Sequence, residues 1–162
     1  MVSRVPSFEA CSFRAGAHCF AVDSGCVAEV LHSATLTPVP LAPEAVAGLL
    51  HLRGRIVPVI DLRRRLSLDS TEQEASQTNL VVRLGDDWYS LLVDEVLDVQ
   101  AIPFERIERT TTGAVSATTD AVTGVYVAET RLIHILDPER LVQSLLKQRT
   151  TPFVRHGVSH GG

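Results

Sequence analysis

The chain has 162 residues, 45% of them apolar and only 5% aromatic, with a formal net charge of −4 and a pI near 5.8. That length fits one domain or two small intimate lobes, and the acidic balance gives no overall attraction to nucleic acid or anionic lipid. The opening MVSRVPSFEACSF lacks the apolar run of a secretory signal, and no stretch reaches the roughly 20 apolar residues of a membrane helix, so a cytoplasmic protein is expected.

With so few aromatic rings, Leu and Val must fill the core, and β-branched residues favour strands. In chain order, residues 1–7 read as a flexible tail. Residues 10–15 and 19–23 read as strands around a turn at Gly16. Residues 35–43 hold prolines at 38, 40 and 43, which suits an edge or crossing segment. Two strands, 49–52 and 55–60, then meet at Arg53-Gly54. Pro58 has no amide hydrogen to donate, which places its strand at an edge or a bulge. Asp61 is a cap for a short helical turn carrying Leu62 and Leu66. The polar stretch SLDSTEQEASQT reads as a linker.

The second half repeats this order. Residues 79–84 and 88–93 flank Gly85-Asp86-Asp87, and alternation should bury only one of Trp88 and Tyr89. Residues 123–128 and 131–136 meet at Glu129-Thr130. Asp137 can cap a terminal helix with Pro138 in its first turn and Leu141, Val142, Leu145 and Leu146 along one side. Residues 150–162 read as a second flexible tail.

The repetition can be aligned residue by residue. Gly48 and Gly124 lie 76 positions apart, and the same step pairs Arg55 with Arg131, Asp61 with Asp137 and Arg64 with Arg140, with apolar residues falling on apolar residues between them. A step of 69 pairs Gly16 with Gly85, Phe20 with Tyr89, Val27 with Val96 and Glu29 with Asp98. About seven residues are therefore inserted in the second copy, most naturally at 110–120. Short strands at regular intervals with little helix predict a mainly β fold: two SH3-like five-stranded β-barrel subdomains packed together, with a C-terminal helix. The domain would span 8–147, with one subdomain at about 8–68 and the other at about 79–147.

Signals of catalysis are weak. Cys11, Cys19 and Cys26 match no metal or disulfide spacing, the six histidines show no H-x-x-H or H-E-x-x-H, and no phosphate-binding loop occurs. No metal site, cofactor or enzymatic activity is expected. Arg53, Arg55 and Arg63 to Arg65 form a basic cluster, and the last three read as a solvated face around Asp61. Arg53 differs, because it sits at a tight turn where a guanidinium can make directed bonds to a partner. Glu129 stands there in the second copy, so the scaffold itself does not require the arginine. The alternative use of the cluster is a small-barrel protein that binds nucleic acid, against which the acidic pI argues.

GLLHLRGRIVPVIDLRRRLSL resembles the most characteristic segment of CheW-type chemotaxis coupling proteins, and LTPVPLAPEAVAG before it, LLVDEVLDV and TGVYVAETRLIHILD after it also match. The resemblance covers about residues 12–146, departing at His51, where the family usually carries Asn, and at the polar Ser24. It implies a non-enzymatic scaffold that couples methyl-accepting chemoreceptors, through their cytoplasmic hairpin tip, to the regulatory domain of a CheA-type histidine kinase in a chemotaxis-like pathway. By motif, Arg53, Gly48 and Glu29 would bind the receptor, and Cys11, Ser24 and Val27 the kinase. The insertion at 110–120 would match a loop that helps close rings of kinase and coupling protein.

Overall fold

Alternating apolar residues become strands along most of the computed structural model, which describes residues 5–68, 77–109 and 120–145. The first copy forms β1 (Ser7–Ala15), β2 (His18–Asp23), β3 (Val27–His32), β4 (Val46–Leu52), β5 (Arg55–Asp61) and a one-turn helix α1 (Leu62–Arg65). The second forms β6 (Thr78–Leu84), β7 (Asp87–Val93), β8 (Glu95–Pro103), the two-residue β9 (Ile107–Glu108), β10 (Val122–Val127) and β11 (Leu132–Leu136). Residues 138–145 follow as helix α2. The first tail is shorter than expected, since Ser7 already pairs with Pro103 and Pro6 accepts a hydrogen bond from Phe104. The remainder of that tail, residues 150–162, most of the linker and all but the last residue of the expected insertion at 110–120 lie outside the described residues.

The strands do not sort by copy. One sheet runs β8-β1-β2-β11-β10-β9 and the other β3-β6-β7-β5-β4. Each copy donates its first hairpin to the other copy's sheet, so the expected subdomains 8–68 and 79–147 are corrected: each barrel is built from both segments. Mapping β1 to β6, β2 to β7, β3 to β8, β4 to β10 and β5 to β11 turns one five-strand order into the other. The seams also correspond. β11 pairs in parallel with β2, and β5 pairs in parallel with β7.

This exchange puts apolar side chains on both faces of most strands. Phe13, Phe20 and Val22 of the first hairpin, Leu80, Val82, Leu91 and Val93 of the second, and Leu141, Val142 and Leu145 of α2 form one core between the sheets. Alternate residues fill the barrels: Val57, Val59, Val81 and Leu92 in one, Ala10, Ala21, Ile102 and Ile133 in the other. Leu31, Ala34 and Leu36 from the β3 side join the same barrel core as Leu50 of β4, so that sheet curls until its edges meet. Double-sided burial also explains Trp88 and Tyr89. Both are half-buried, Trp88 toward the barrel and Tyr89 toward the shared core, because neither face of β7 is free.

The repeated Gly has a physical cause. A Cβ at Gly48 would lie 2.8 Å from the Thr37 carbonyl oxygen, because the proline-rich segment crosses there and Thr37 exchanges two 2.8 Å backbone hydrogen bonds with Leu49. At Gly124 a Cβ would lie 2.6 Å from Ile107 and 3.0 Å from the Glu108 carbonyl oxygen, where β9 makes the matching crossing. The repeated Asp and Arg form a clamp. The Asp61 amide donates to the Ala45 carbonyl, its carboxylate caps the Arg64 amide, and the Arg64 guanidinium donates to the Glu44 carbonyl. Asp137, Ala121, Arg140 and Asp120 repeat every bond.

Pro58 lies within β5, flanked by β4 and β7, yet it costs no bond of the ladder with β4. Leu49 spends its N–H and C=O on Thr37, so Leu49 and Pro58 form a non-hydrogen-bonded pair. The proline nitrogen therefore faces β7, where pairing begins only at Val59. The expected edge is local, a wedge between two strands.

Candidate partner-binding surface

Arg53 and Gly54 form the two-residue turn between β4 and β5, and both have positive φ, 51° and 77°. Such turns match the strand twist but favour Asn or Gly, so an arginine there is strained. Its side chain is 71% exposed, and its Nε donates to Glu29 Oε2 of β3 at 3.3 Å. The pair spans the two edges of the curled sheet. It leaves most of the guanidinium facing solvent, able to form further charged hydrogen bonds.

The six residues named from the resemblance separate into four groups. Arg53 and Glu29 touch each other, as expected of one site. Gly48 is buried under the Thr37 crossing and shapes the backbone without offering a surface of its own. Ser24, in the short 3-10 turn between β2 and β3, and Val27, at the start of β3, are half-exposed beside the junction of the two sheets. Cys11 is corrected: it is 4% exposed within the shared core, because central strand β1 is covered on that face by the other sheet. It can touch no partner directly.

Two arginines of the supposed solvated face turn inward. Asp94, between β7 and β8, is 3% exposed. Its Oδ2 accepts from the Gly16 amide at 2.8 Å, from Arg14 at 3.1 Å and from Arg63 at 2.6 Å. This carboxylate ties the β1–β2 turn, α1 and the passage between sheets. Arg65 donates to Ser144 of α2, and Arg64 alone keeps the expected surface pairing with Asp61. Sequence spacing carried no sign of the Asp94 cluster, since its partners lie 80 and 31 residues away.

Two of the three thiols are held in the protonated form by their surroundings. Burial, reinforced by Asp23, raises Cys26 to about 11, and burial also raises Cys11. His18 and His134 approach edge-on with ring centroids 5.7 Å apart, and His134 lies 5.4 Å from Phe20. Burial first, then His18, holds His134 below the usual histidine range. Among the described residues no group of three His, Cys, Asp or Glu side chains is placed to hold a metal ion, and no helix is long and apolar enough to cross a membrane.

Two packed, curled β-sheets thus carry a strained, solvent-facing arginine at the turn between β4 and β5. The CheW-like domain model matches residues 9–146. The chain is 28% identical over 145 residues to the chemotaxis protein CheW of Thermotoga maritima, covering 90% of this chain and 94% of that one. It is 30% identical to protein PilI of Pseudomonas aeruginosa, covering 86% and 78%. The crystal structure of the scaffolding protein TtCheW from Thermoanaerobacter tengcongensis superposes with a TM-score of 0.73 at 25% identity, over 81% of this chain and 89% of that one. The chain belongs to the CheW-like domain family, and its role is that of a chemotaxis coupling adaptor.

Proposed function

We propose that the chain couples methyl-accepting chemoreceptors to a CheA-type histidine kinase as a cytoplasmic, non-enzymatic scaffold that needs no cofactor. The observation that carries this reading is the CheW-like match from residue 9 to residue 146, together with an arginine kept in a strained turn and left largely unsatisfied. Arg53, oriented by Glu29, makes the charged contacts to the receptor's cytoplasmic hairpin tip, and Gly48 holds the β4 backbone beneath that turn. Ser24 and Val27 face the regulatory domain of the kinase, with Cys11 supporting them from the core. Each contact is of the small, weak kind common in signalling, below about 1,200 Å² in total. Arrays strengthen such contacts by multivalency.

The test is calorimetric titration with a receptor cytoplasmic fragment and, separately, with the kinase regulatory domain. Wild type should bind both. Arg53→Glu should lose receptor affinity at least tenfold and keep its kinase affinity. Failure of the folded wild type to bind either fragment would sink the reading, and an Arg53→Glu protein that binds the receptor normally would remove Arg53 from the site.

A further inference from the structure

Within the basic cluster, Arg53 and Arg64 pair with acids and Arg63 and Arg65 turn inward. Arg55 does neither. It stands opposite Leu52 on the last rung of the β4–β5 hairpin, and cross-strand partners share a face, so both point to the barrel side. Leu52 packs against the same barrel core as Trp88, and the Arg55 guanidinium carbon lies over the Trp88 ring, 4.8 Å from its centroid. The side chain is exposed, and among the described residues it makes no hydrogen bond and no ion pair. A cation held on a ring face spends none of its N–H groups, so all five donors of this guanidinium stay available.

The second copy shows that folding does not demand the arrangement. The step of 76 places Arg131 at the position of Arg55, but the step of 69 places Cys19 at that of Trp88. Arg131 falls in the connection ahead of β11, is exposed, and lies over no ring. Both copies carry the charge, and only one fixes it in place. A ring contact at an exposed site stabilises a fold only slightly, whereas a cation ordered before binding loses less freedom when a partner arrives.

We propose that Arg55 is a second receptor-binding residue, held in position by Trp88, that takes a carboxylate of the receptor's cytoplasmic hairpin tip. The choice of partner rests on the adaptor reading, and the held cation rests on geometry. Arg53 and Arg55 flank Gly54 at one hairpin end, the first reaching to Glu29 of β3 and the second to Trp88 of β7. That end therefore presents two oriented cations. Asp86 and Asp87 border the same opening of about 390 Å³ as Arg55 and Trp88, and neither pairs with Arg55. They oppose a surface that is acidic throughout. The surface that fits brings an acid to Arg55 and a base to the aspartates, which fixes its direction as well as its place.

The experiment is titration of the full chain with the receptor fragment at low and at high salt, with the kinase regulatory domain as a control. Arg55→Gln should weaken receptor binding about fivefold or more, reduce its salt dependence, and leave kinase affinity and Tm unchanged. Arg131→Gln should leave receptor binding unchanged, and Asp86→Asn combined with Asp87→Asn should weaken it. Trp88 is a positioning residue, and NMR reads that role: the ring current that shifts the Arg55 Nε–H in wild type should vanish in Trp88→Leu, with receptor affinity falling although Arg55 remains. Where Trp88→Leu fails to fold, Trp88→Phe decides, because its smaller ring should reduce both the shift and the affinity. Unchanged receptor affinity in Arg55→Gln, beside a loss in Arg53→Glu, overturns the assignment of Arg55 and leaves the adaptor reading standing. Equal losses in Arg55→Gln and Arg131→Gln overturn it as well, since bulk charge would then suffice. Tighter binding by the doubly neutralised aspartate variant overturns the paired charges, and a ring that can be removed without effect overturns the positioning role. Wild type that binds no receptor fragment overturns the adaptor reading itself.

Discussion

Replacing Arg53 with Asn tests whether the arginine serves folding or binding. Two terms act on stability. Relieving arginine of its left-handed conformation, φ 51°, recovers about 1 kcal/mol, and Asn-Gly is the dipeptide that such two-residue turns favour. Against this stands loss of the ion pair with Glu29 at 3.3 Å. With the guanidinium 71% exposed, solvent screening limits that contribution to about 0.5 kcal/mol. The terms nearly cancel, so folding free energy should change by less than about 1 kcal/mol and Tm by less than about 4 °C. Receptor binding should not be spared. One charged hydrogen bond is worth about 1.5 kcal/mol or more, which is about tenfold in affinity. Differential scanning calorimetry and titration with the receptor fragment read the two quantities on one sample. A fall in Tm of more than about 8 °C would mean that the Arg53–Glu29 pair holds the barrel closed, and undiminished affinity would mean that the strain serves no receptor contact.

Thermal melts should rank Gly48→Ala as more damaging than Gly54→Ala, by about 1–3 kcal/mol. The first drives a Cβ to 2.8 Å from a carbonyl oxygen, whereas nothing lies within 4 Å of the second. Asp94→Asn removes the charge shared by Arg14 and Arg63 and should cost about 2–3 kcal/mol, seen as a Tm lower by roughly 5–10 °C. Equal melting of that variant and wild type would show the cluster to be dispensable. The folded state resists protonating His134, so stability from this residue is whole above the unfolded value of 6.5. It is lost as pH falls below that value, because the unfolded chain then binds more protons. Chemical denaturation at pH 7 and pH 5.5 should thus reveal a drop for wild type that is smaller in His134→Gln, and parallel drops would refute the assignment.

Most of the local structure was legible because it depends on near neighbours in sequence. Alternating apolar residues gave away the strands, and the capping reach of Asp61 and Asp137 is local. The exchange of first hairpins was not legible. A repeat states which residues are equivalent, but either copy's β2 could pair with either copy's β5-like strand at the same register. Asp94 was hidden for a related reason: an acid among apolar residues looks alike whether it faces water or two distant arginines. Cys11 was misassigned to a surface although a signal existed, since a free cysteine in an apolar strand is more often buried than not. Within the candidate site, Arg53 was found by comparing the two copies, while its pairing with Glu29 emerged only when the sheet curled.

That comparison has a reach and a limit. Where both copies keep a feature, as with Gly48 and Gly124 or Asp61 and Asp137, folding alone accounts for it. Where they differ, the fold has not demanded the residue twice, yet difference alone does not establish binding: Asp94 corresponds to Gly25 by the step of 69, and it is buried and structural. Exposure separates the cases. Arg53 reaches solvent, and the second copy joins the equivalent strands through the four residues 128–131, with Ala128 donating to the Arg131 carbonyl at 2.9 Å and without positive φ at Glu129 or Thr130. These strands can therefore be joined without a strained side chain, by a longer connection. A scaffold that can join these strands without strain, yet holds Arg53 strained and exposed, is the reason to seek the role of that side chain in binding rather than in folding.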